Sequence, residues 1–401
     1  MPIDRLQLSR QVGELADYLD DQRSEFRRCL DRALQAVATH SESDAFEQLA
    51  DKLESQRGVY SWLVPGVTEP ITTSHTPPAP PRDYIVLAVD GSQIETDRDS
   101  PFDAYLINIG RVYIRYGQSS DAVIESQAHT YYKQEDLVLG GRRRPGREHV
   151  IGSSVIAARR DTAEVSALAD MAEQLPENVP AIGLLDGSLT QWRISEADNI
   201  DDPDVRKNYI DALSRLQEVS RQREFVVASY ISRPRAREVV NALRIAICPF
   251  DTPNCGSYCR DKAEGERPCD EVARIRDRDI FEELLINEDD RSGVFRSTAD
   301  EIAEYGEHLP HFFYIAASEE LARAEFPQWS LNHIDLLHTL LCDQIHLGNG
   351  YPLALAEAHE EAVVRADDRE LFRQLLNNEA INRSAPNRIS AKSAAKRQRS
   401  L

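Results

Sequence analysis

The stretch YIVLAVDGSQI, residues 84–94, decides the fold. It begins with an uninterrupted apolar run that is typical of a buried strand, and its Asp-Gly-Ser predicts a turn at the end of that strand. The same signature returns at residues 179–188, where VPAIGLL leads into a second Asp-Gly-Ser. The sequence therefore predicts two buried strands that each end in an aspartate, Asp90 and Asp186.

The segments around these two strands predict the rest of the sheet. Residues 103–117 and 121–132 alternate apolar and polar side chains, so they predict two further strands directly after the first. Helical and strand patterns then alternate as helix 154–175, strand 179–185, helix 208–223, strand 225–232 and helix 237–247. Short links predict an antiparallel meander of the first three strands, and strand–helix alternation predicts parallel pairing of the later ones. The expected fold is α/β, with the mixed sheet of the ribonuclease H-like order.

Regions outside this core differ from it in composition. Residues 1–60 combine helical periodicity with abundant charge and predict an N-terminal helical extension. Residues 61–83 are rich in proline and threonine and predict an irregular linker without regular structure. The core domain is expected to span residues 84–370, with a cysteine-rich insertion at 248–269. Residues 371–401 are expected to form a helix end and a disordered basic tail.

The charge of the chain restricts what it can bind. Its 401 residues carry a net charge of −21, and its polar N-terminus resembles no signal peptide. No stretch approaches the roughly 18 consecutive apolar residues that cross a bilayer, so a cytoplasmic protein without a membrane partner is expected. Such acidity excludes a protein that coats nucleic acid through a basic field.

Local basic patches are the remaining way to hold a nucleic acid strand. Each patch can equally be a solvated part of the surface. The candidates are Arg142, Arg143, Arg144 and Arg147, then Arg159 and Arg160, and finally Lys392, Lys396, Arg397 and Arg399 in the C-terminal tail.

Asp90 and Asp186 are the first candidates for chemistry. If their strands are neighbours, two carboxylates face each other at one edge of the sheet, which is costly unless a cation lies between them. Phosphodiester hydrolysis uses such an arrangement, with paired metal ions ~4 Å apart, and hard oxygen ligands select Mn²⁺ or Mg²⁺. The alternative is that each Asp-Gly only ends a strand, as Asp-Gly often does.

Two helices are expected to supply the further ligands. On the first helix Glu164 is the best candidate, and Asp170, about two turns further on, is its rival. The late segment GYPLALAEAHE, residues 350–360, places His359 on another helix beside several glutamates. A single histidine on a helix is equally compatible with packing or surface exposure, and its position alone decides nothing.

At this point the chain resembles the NurA nucleases. Its motifs are individually short, but their order and spacing over roughly residues 84–370 are specific. The matching pieces are VDGSQ at Asp90, LLDGSL at Asp186, YISRPRAREVV at 230–240, DRDIF at 277–281, ARAEFPQW at 322–329 and GYPLALAEAHE at 350–360.

The resemblance implies a manganese-dependent exonuclease and endonuclease that acts on DNA ends in double-strand-break repair. It also implies a homodimer that docks on a hexameric ATPase of the HerA type. By this resemblance Asp90, Asp186, Glu164 and His359 match the metal-binding and catalytic positions of the family. Arg233 occupies the place of a polar group after the fifth strand and would bind a phosphate of the nucleic acid.

Two other functions are compatible with the same residues. A catalytically inactive ribonuclease H-like module would only couple a DNA translocase to another nuclease. An RNA-directed nuclease would use the same chemistry, because recognition of the 2′-hydroxyl leaves no motif here.

Four of the six cysteines are clustered in the insertion. Cys248, Cys255, Cys259 and Cys269 lie on a polar, glycine-containing segment, and such a set in a cytosolic protein predicts Zn²⁺ or an iron–sulfur cluster. Their spacing is not the paired CxxC of zinc ribbons, so four unrelated free thiols are the alternative. The other two, Cys29 and Cys342, have apolar helical surroundings and are expected in the core.

Overall fold

The computed structural model describes residues 4–55, 62–95, 102–140, 148–192, 203–263, 265–299, 302–318 and 320–383. The helices are α1 (Arg5–Thr39), α2 (Ser43–Ser55), α3 (Gln134–Leu137), α4 (Ser153–Ala172), α5 (Pro203–Gln222), α6 (Glu238–Ala246), α7 (Cys255–Tyr258), α8 (Asp277–Leu284), α9 (Ile334–Leu347), α10 (Leu353–Ala362) and α11 (Ala366–Asn382). The strands are β1 (Gly66–Val67), β2 (Ser74–His75), β3 (Tyr84–Ile94), β4 (Tyr105–Tyr116), β5 (Asp121–Tyr131), β6 (Val138–Gly140), β7 (Glu148–Val150), β8 (Ala181–Asp186), β9 (Phe225–Ser232), β10 (Arg291–Ser292), β11 (Phe295–Arg296), β12 (Pro310–Ala317) and β13 (Glu320–Pro327).

These elements are divided between two units. One unit, here called the aspartate unit, comprises residues 78–230, 303–308 and 326–401. The other, here called the cysteine unit, comprises residues 1–77, 231–302 and 309–325. The segment expected from sequence to be one domain, residues 84–370, therefore contributes to both units.

The aspartate unit contains the mixed sheet that the sequence predicts. Strand β3 pairs antiparallel with β4, and β4 pairs antiparallel with β5. On its other side β3 pairs parallel with β8, and β8 pairs parallel with β9. The resulting order, β5-β4-β3-β8-β9, is the ribonuclease H-like arrangement, and the predicted fold class is confirmed.

Strand β3 lies in the middle of this sheet because its sequence is apolar on both faces. All six residues of Tyr84–Val89 are buried, as expected for a strand covered by helices on both sides. Asp90 pairs with Gly110 of β4, and both positions face α10, whose Ala358 carbonyl lies against Gly110. Side chains alternate along a strand, so Gly91 faces the other side, where α4 lies. Helices α4 and α10 therefore cover opposite faces of β3.

Two local predictions from the sequence are wrong. The first Asp-Gly-Ser does not end its strand, because β3 continues through it to Ile94 with unbroken pairing to β4. The proline-rich residues 61–83 contain regular structure after all, since β1 and β2 lie within them and pair with β11 and β10. A strand of two residues leaves too short a pattern to be recognised from sequence.

The cysteine unit has its own core, in which residues of α1, α2, α6 and α8 pack with residues of β11, β12 and β13. Cys29 is buried there, as predicted, and Cys342 is buried in the aspartate unit. Inside the cysteine unit Arg323 is 4% exposed and lies 2.8 Å from both Glu238 and Glu325. Such a buried charge is tolerated only when it is paired. The matching piece ARAEFPQW therefore includes a structural ion-pair network.

The first half of α1 carries apolar side chains that face solvent. They are Leu6, Leu8, Val12, Leu15 and Tyr18, each at least 47% exposed. Within the described parts of the chain, no helix combines the length and the hydropathy needed to cross a membrane. The predicted basic residues 142–147 and the predicted tail of residues 384–401 lie outside the described residues.

Helix α10 approaches β4 so closely that Gly110 admits no side chain. A Cβ atom there would lie 2.2 Å from the Ala358 carbonyl oxygen and 2.8 Å from the Ala362 nitrogen. We expect Gly110→Ala to lower the free energy of unfolding by about 1–3 kcal/mol, because backbone rather than a flexible side chain must move. Urea unfolding followed by circular dichroism measures this loss.

The matched control is Gly13→Ala in α1, where an added Cβ meets no described atom within 4 Å. This variant is expected to be neutral or stabilised by up to about 1 kcal/mol, since alanine is the better helix former. Equal unfolding midpoints for Gly110→Ala and the wild-type protein would contradict the close approach.

Candidate active site

The register of β3 and β8 brings Asp90 and Asp186 side by side. The parallel pairing runs from Ile85↔Ala181 to Val89↔Leu185, and the two aspartates are the next residues on each strand. Neighbouring strands lie about 4.8 Å apart, and residues in register point to the same face. The sequence prediction that the two carboxylates share one edge of the sheet is therefore consistent with the structure.

His359 lies on α10 directly over Asp90. Its Nδ1 is 2.7 Å from Asp90 Oδ2, and the other carboxylate oxygen, Oδ1, accepts the Gly91 amide N–H at 2.8 Å. The Asp90 side chain is 15% exposed and the His359 side chain is 61% exposed. The carboxylate is thus held from two sides, and the imidazole lies at the entrance of the site.

The serine of the first Asp-Gly-Ser anchors the helix that carries His359. Ser92 Oγ donates a hydrogen bond to the carbonyl oxygen of Ala362, at the end of α10. Asn108 Nδ2 donates to the same oxygen and to that of Glu361, both at 3.0 Å. These bonds satisfy helix carbonyls that otherwise lack partners, and they fix the position of α10 over Asp90.

Glu164 reaches the same strand from the α4 side. It is 7% exposed, and a Cβ on Gly91 would lie 2.5 Å from its Oε1 atom. Asp90 faces α10, so the backbone at Gly91 lies between the two acidic groups. Strand β8 ends at Asp186, which leaves this edge of the sheet open beyond that point. Glycine at 91 is required by this close approach, whereas Gly187 in the second Asp-Gly-Ser is required by its φ of +86°.

Burial and neighbouring negative charges raise the proton affinity of two of the carboxylates, Glu164 and Asp186. Burial, and then the negative charges of Asp161, Asp90 and Asp186, raise the pKa of Glu164 well above its usual value, although Arg160 opposes them. Desolvation and the charge of Asp90 raise the pKa of Asp186, which retains access to solvent. Like charges held this close favour either a proton or a cation between them.

One oxygen of this group is suited to a metal ion. Glu164 Oε1 is buried and has no hydrogen-bond partner among the described residues, although Arg160 Nε is 3.1 Å away in an ion pair. The Arg160 guanidinium partly offsets the cost of burying this carboxylate oxygen, which still lacks a hydrogen bond. The donors of Asp90, Asp186 and Glu164 are all hard oxygens, the type that Mn²⁺ and Mg²⁺ prefer.

The groups are not already arranged around an ion. Across the described residues no set of three or more His, Cys, Asp or Glu side chains has the geometry of a metal site. The carboxylates would have to turn toward an ion on binding it.

Sequence reasoning missed Tyr351, and it placed Arg160 in a candidate basic patch rather than beside the carboxylates. Tyr351 donates its hydroxyl to Asp186 Oδ1 at 3.1 Å, and its ring packs edge-on against Tyr230, the β9 residue paired with Asp186. Arg160 lies beside Glu164 and pairs with Asp161 at 2.8 Å. The signal for Tyr351 was its place in GYPLALAEAHE, just before the helix of His359.

Other candidates lie elsewhere. Asp170, the rival of Glu164, pairs with Arg215 at 2.6 Å. Arg159 donates to the Tyr105 hydroxyl at 2.7 Å, so it does not form a solvated patch with Arg160. Arg233 belongs to the cysteine unit; its side chain is 75% exposed, and its Nε lies 4.0 Å from Glu320.

The cysteines predicted to bind a second metal also belong to the cysteine unit. All four line one small cavity, and all are free thiols.

Comparison with solved structures gives partial similarities, which include the following two. The crystal structure of native prototype foamy virus protease–reverse transcriptase has 15% identity and a TM-score of 0.23, covering 38% of this chain and 18% of that chain. The crystal structure of LC9-RNase H1, a type 1 RNase H with the type 2 active-site motif, has 11% identity and a TM-score of 0.21, covering 41% of this chain and 69% of that chain. A comparison with curated protein sequences finds no match.

Comparison with protein families gives a match that covers most of the chain. The NurA domain matches residues 84–364, a segment that includes both aspartates, Glu164 and His359. The resemblance noted from short motifs is confirmed, and the protein belongs to the NurA family of nucleases.

Proposed function

We propose that this chain is a divalent-metal-dependent nuclease that hydrolyses DNA phosphodiesters, with two Mn²⁺ or Mg²⁺ ions as cofactors. The observation that carries the proposal is the pair Asp90 and Asp186, which follow the last register pair of two parallel strands. The hydrogen bond between His359 Nδ1 and the accepting Asp90 Oδ2 adds a proton-carrying group at the same place.

In this proposal the carboxylates hold the ions. Asp90 and Asp186 are the central ligands, because they are neighbours on one face of the sheet. Glu164 completes the set from the open edge through its Oε1 atom, which has no hydrogen-bond partner among the described residues and would exchange its ion pair with Arg160 for a metal ion. When bound, the ions would activate a water molecule and neutralise charge on the leaving oxygen.

His359 is suited to proton transfer. Its Nδ1 faces Asp90 Oδ2, so the carboxylate orients the ring. The other ring nitrogen, Nε2, is directed away from that carboxylate, and the side chain is largely exposed. A proton held at Nε2 can be given to the leaving oxygen of a bound strand.

Tyr351 is a positioning residue in this scheme. Its hydroxyl donates to Asp186 Oδ1 and leaves the second carboxylate oxygen for an ion. Burial and the charge of Asp186 raise the pKa of Tyr351, so the hydroxyl stays protonated and remains a donor.

The cellular role that we propose follows from the family. The chain would process DNA ends in double-strand-break repair, in the cytoplasm, as a homodimer docked on a hexameric ATPase of the HerA type. The exposed apolar side chains in the first half of α1 support a contact with such a partner, since a soluble surface rarely gathers apolar groups without one. Arg233, exposed in the cysteine unit, is proposed to bind a phosphate of the strand.

The central test replaces single carboxylates without changing their shape. We expect Asp90→Asn and Asp186→Asn each to lower Mn²⁺-dependent cleavage of linear duplex DNA at least about 1,000-fold, because each removes charge that holds the ions. The matched control is Asp170→Asn, an acid on α4 that pairs with Arg215 and is expected to keep near wild-type activity.

The same assay separates the competing functions. Wild-type protein that cleaves neither DNA nor RNA with Mn²⁺ present would favour the catalytically inactive docking module. Cleavage of RNA but not DNA would favour the RNA-directed nuclease. Equal activity of Asp90→Asn and wild type would remove Asp90 from the site.

Glu164 gives a test that does not depend on activity. In metal-free protein at pH 8, Glu164→Gln is expected to match or exceed the wild-type melting temperature, because it removes a buried acidic group. Added Mn²⁺ is expected to raise the melting temperature of wild type and to raise that of Glu164→Gln by less, because one ligand is gone. Differential scanning calorimetry measures both, and equal Mn²⁺ shifts would exclude Glu164 as a ligand.

Gly91 tests whether the close approach of Glu164 matters for catalysis. Gly91→Ala places a Cβ 2.5 Å from Glu164 Oε1 and 2.8 Å from Arg160 Cγ, so the carboxylate must move away. We expect cleavage to fall about 100-fold, as misplacement of a catalytic group by about 1 Å can do, while circular dichroism stays unchanged. Full activity of this variant would show that Glu164 need not lie where the structure has it.

A further inference from the structure

The four clustered cysteines converge on one cavity in the cysteine unit. Cys248 follows α6, Cys255 begins α7, Cys259 follows α7, and Cys269 lies in a 3-10 turn at Pro268–Val272. All four line the same cavity, whose other walls are mainly apolar and include Trp62 and Phe250. The irregular spacing that made the motif ambiguous in sequence therefore becomes a single group in space.

The thiols are close enough to influence one another. Burial raises the pKa of Cys255, and the neighbouring thiols of Cys259 and Cys248 raise it further. None of the four forms a disulfide. Cys259 and Cys269 are buried, whereas Cys255 is exposed, so an ion can enter from solvent and end against the core.

The positively charged side chain of Arg244 also lines this cavity. Arg244 of α6 places Nη2 4.0 Å from Cys269 Sγ and 3.6 Å from Asp270, and its guanidinium lies 3.7 Å over the Trp62 ring. Its Nε is buried and has no hydrogen-bond partner among the described residues. A positive group held beside a thiol favours the thiolate and offsets the negative charge that a set of thiolates carries.

The size of the cavity favours a single ion over a cluster. Its volume is about 20 Å³, which accommodates about one water-sized particle. An iron–sulfur cluster brings several iron and sulfide atoms and needs more room, whereas tetrahedral Zn²⁺ brings one atom.

We propose that Cys248, Cys255, Cys259 and Cys269 bind one structural Zn²⁺ that fastens the segment of residues 248–269 to α6. On binding, the four thiols release their protons, and the ion with four thiolates carries two negative charges beside Arg244. The described residues of the segment contain little regular structure, only α7 and the turn at Pro268–Val272. The proposed Zn²⁺ would cross-link this segment and stabilise it where regular secondary structure does not.

Closure around the ion is part of the proposal. Among the described side chains no group of three or more potential ligands is preformed for a metal, so binding and local folding occur together, as in small zinc modules. The site has no position left for a water ligand, which makes its role structural rather than catalytic.

The test is the metal content of the full-length protein purified under reducing conditions. We expect about one zinc per chain, falling below about 0.1 in the double variant Cys255→Ser/Cys259→Ser, because two of four ligands are lost. The matched control is Cys29→Ser, a buried cysteine of the same unit outside the cluster, which is expected to retain the ion.

Wild-type protein alone also decides the proposal if the double variant does not fold. Exchange with Co²⁺ is expected to give thiolate-to-metal absorption and the visible bands of a tetrahedral site, and a mercurial reagent is expected to release the zinc. The proposal is overturned if the wild type contains no zinc, contains iron with cluster absorption, or has disulfides among these cysteines by mass spectrometry. Because the measured quantity is metal content, the outcome for the zinc proposal does not depend on whether the protein is an active nuclease.

Discussion

The structure around the site depends on how it accommodates the repulsion between two neighbouring carboxylates, Asp90 and Asp186. Parallel pairing of β3 and β8 leaves Asp90 and Asp186 side by side where β8 ends, and the buried Glu164 adds a third acid from the opposite face. A sheet that only needed stability would carry apolar residues at these positions. The arrangement is tolerable because β8 stops at Asp186, so the two aspartates lie at an open edge of the sheet, and because the buried Glu164 is paired with Arg160.

Helices α4 and α10 pack closely against the two faces of the sheet at that edge. Gly91 allows Glu164 to lie against β3, and Gly110 allows α10 to lie against β4. Ser92 then donates a hydrogen bond to the Ala362 carbonyl at the end of α10. The single tripeptide Asp-Gly-Ser therefore provides a candidate ligand, the space for Glu164 and a hydrogen bond to the end of a helix. The same tripeptide at residues 186–188 ends a strand with a left-handed glycine. The same tripeptide sequence therefore has a different structural role at each of the two positions.

The sequence was most informative where long periodic patterns exist. The apolar runs of β3, β8 and β9 and the alternation of β4 predicted the mixed sheet, and the family motifs led to Asp90, Glu164, Asp186 and His359. Contacts across the fold could not be read in the same way. Tyr351 lies 165 residues from its partner Asp186 in the sequence. Arg159 donates a hydrogen bond to the Tyr105 hydroxyl. Strand β3 continues past its apparent turn because β4 pairs with it throughout.

The two proposed metal sites differ in the chemical type of their ligands, which determines the metal ion that each site prefers. The acidic site offers only carboxylate oxygens and an imidazole, which suit Mn²⁺ and Mg²⁺, whereas the cysteine site offers four soft sulfurs, which select Zn²⁺. Affinity alone would not separate them, because zinc binds most sites more tightly than manganese does. A closed thiolate site would retain its zinc, whereas ions at the open edge of the sheet would exchange with solvent. Under the two proposals, the protein carries a permanent structural ion and still depends on the supply of a second metal for chemistry.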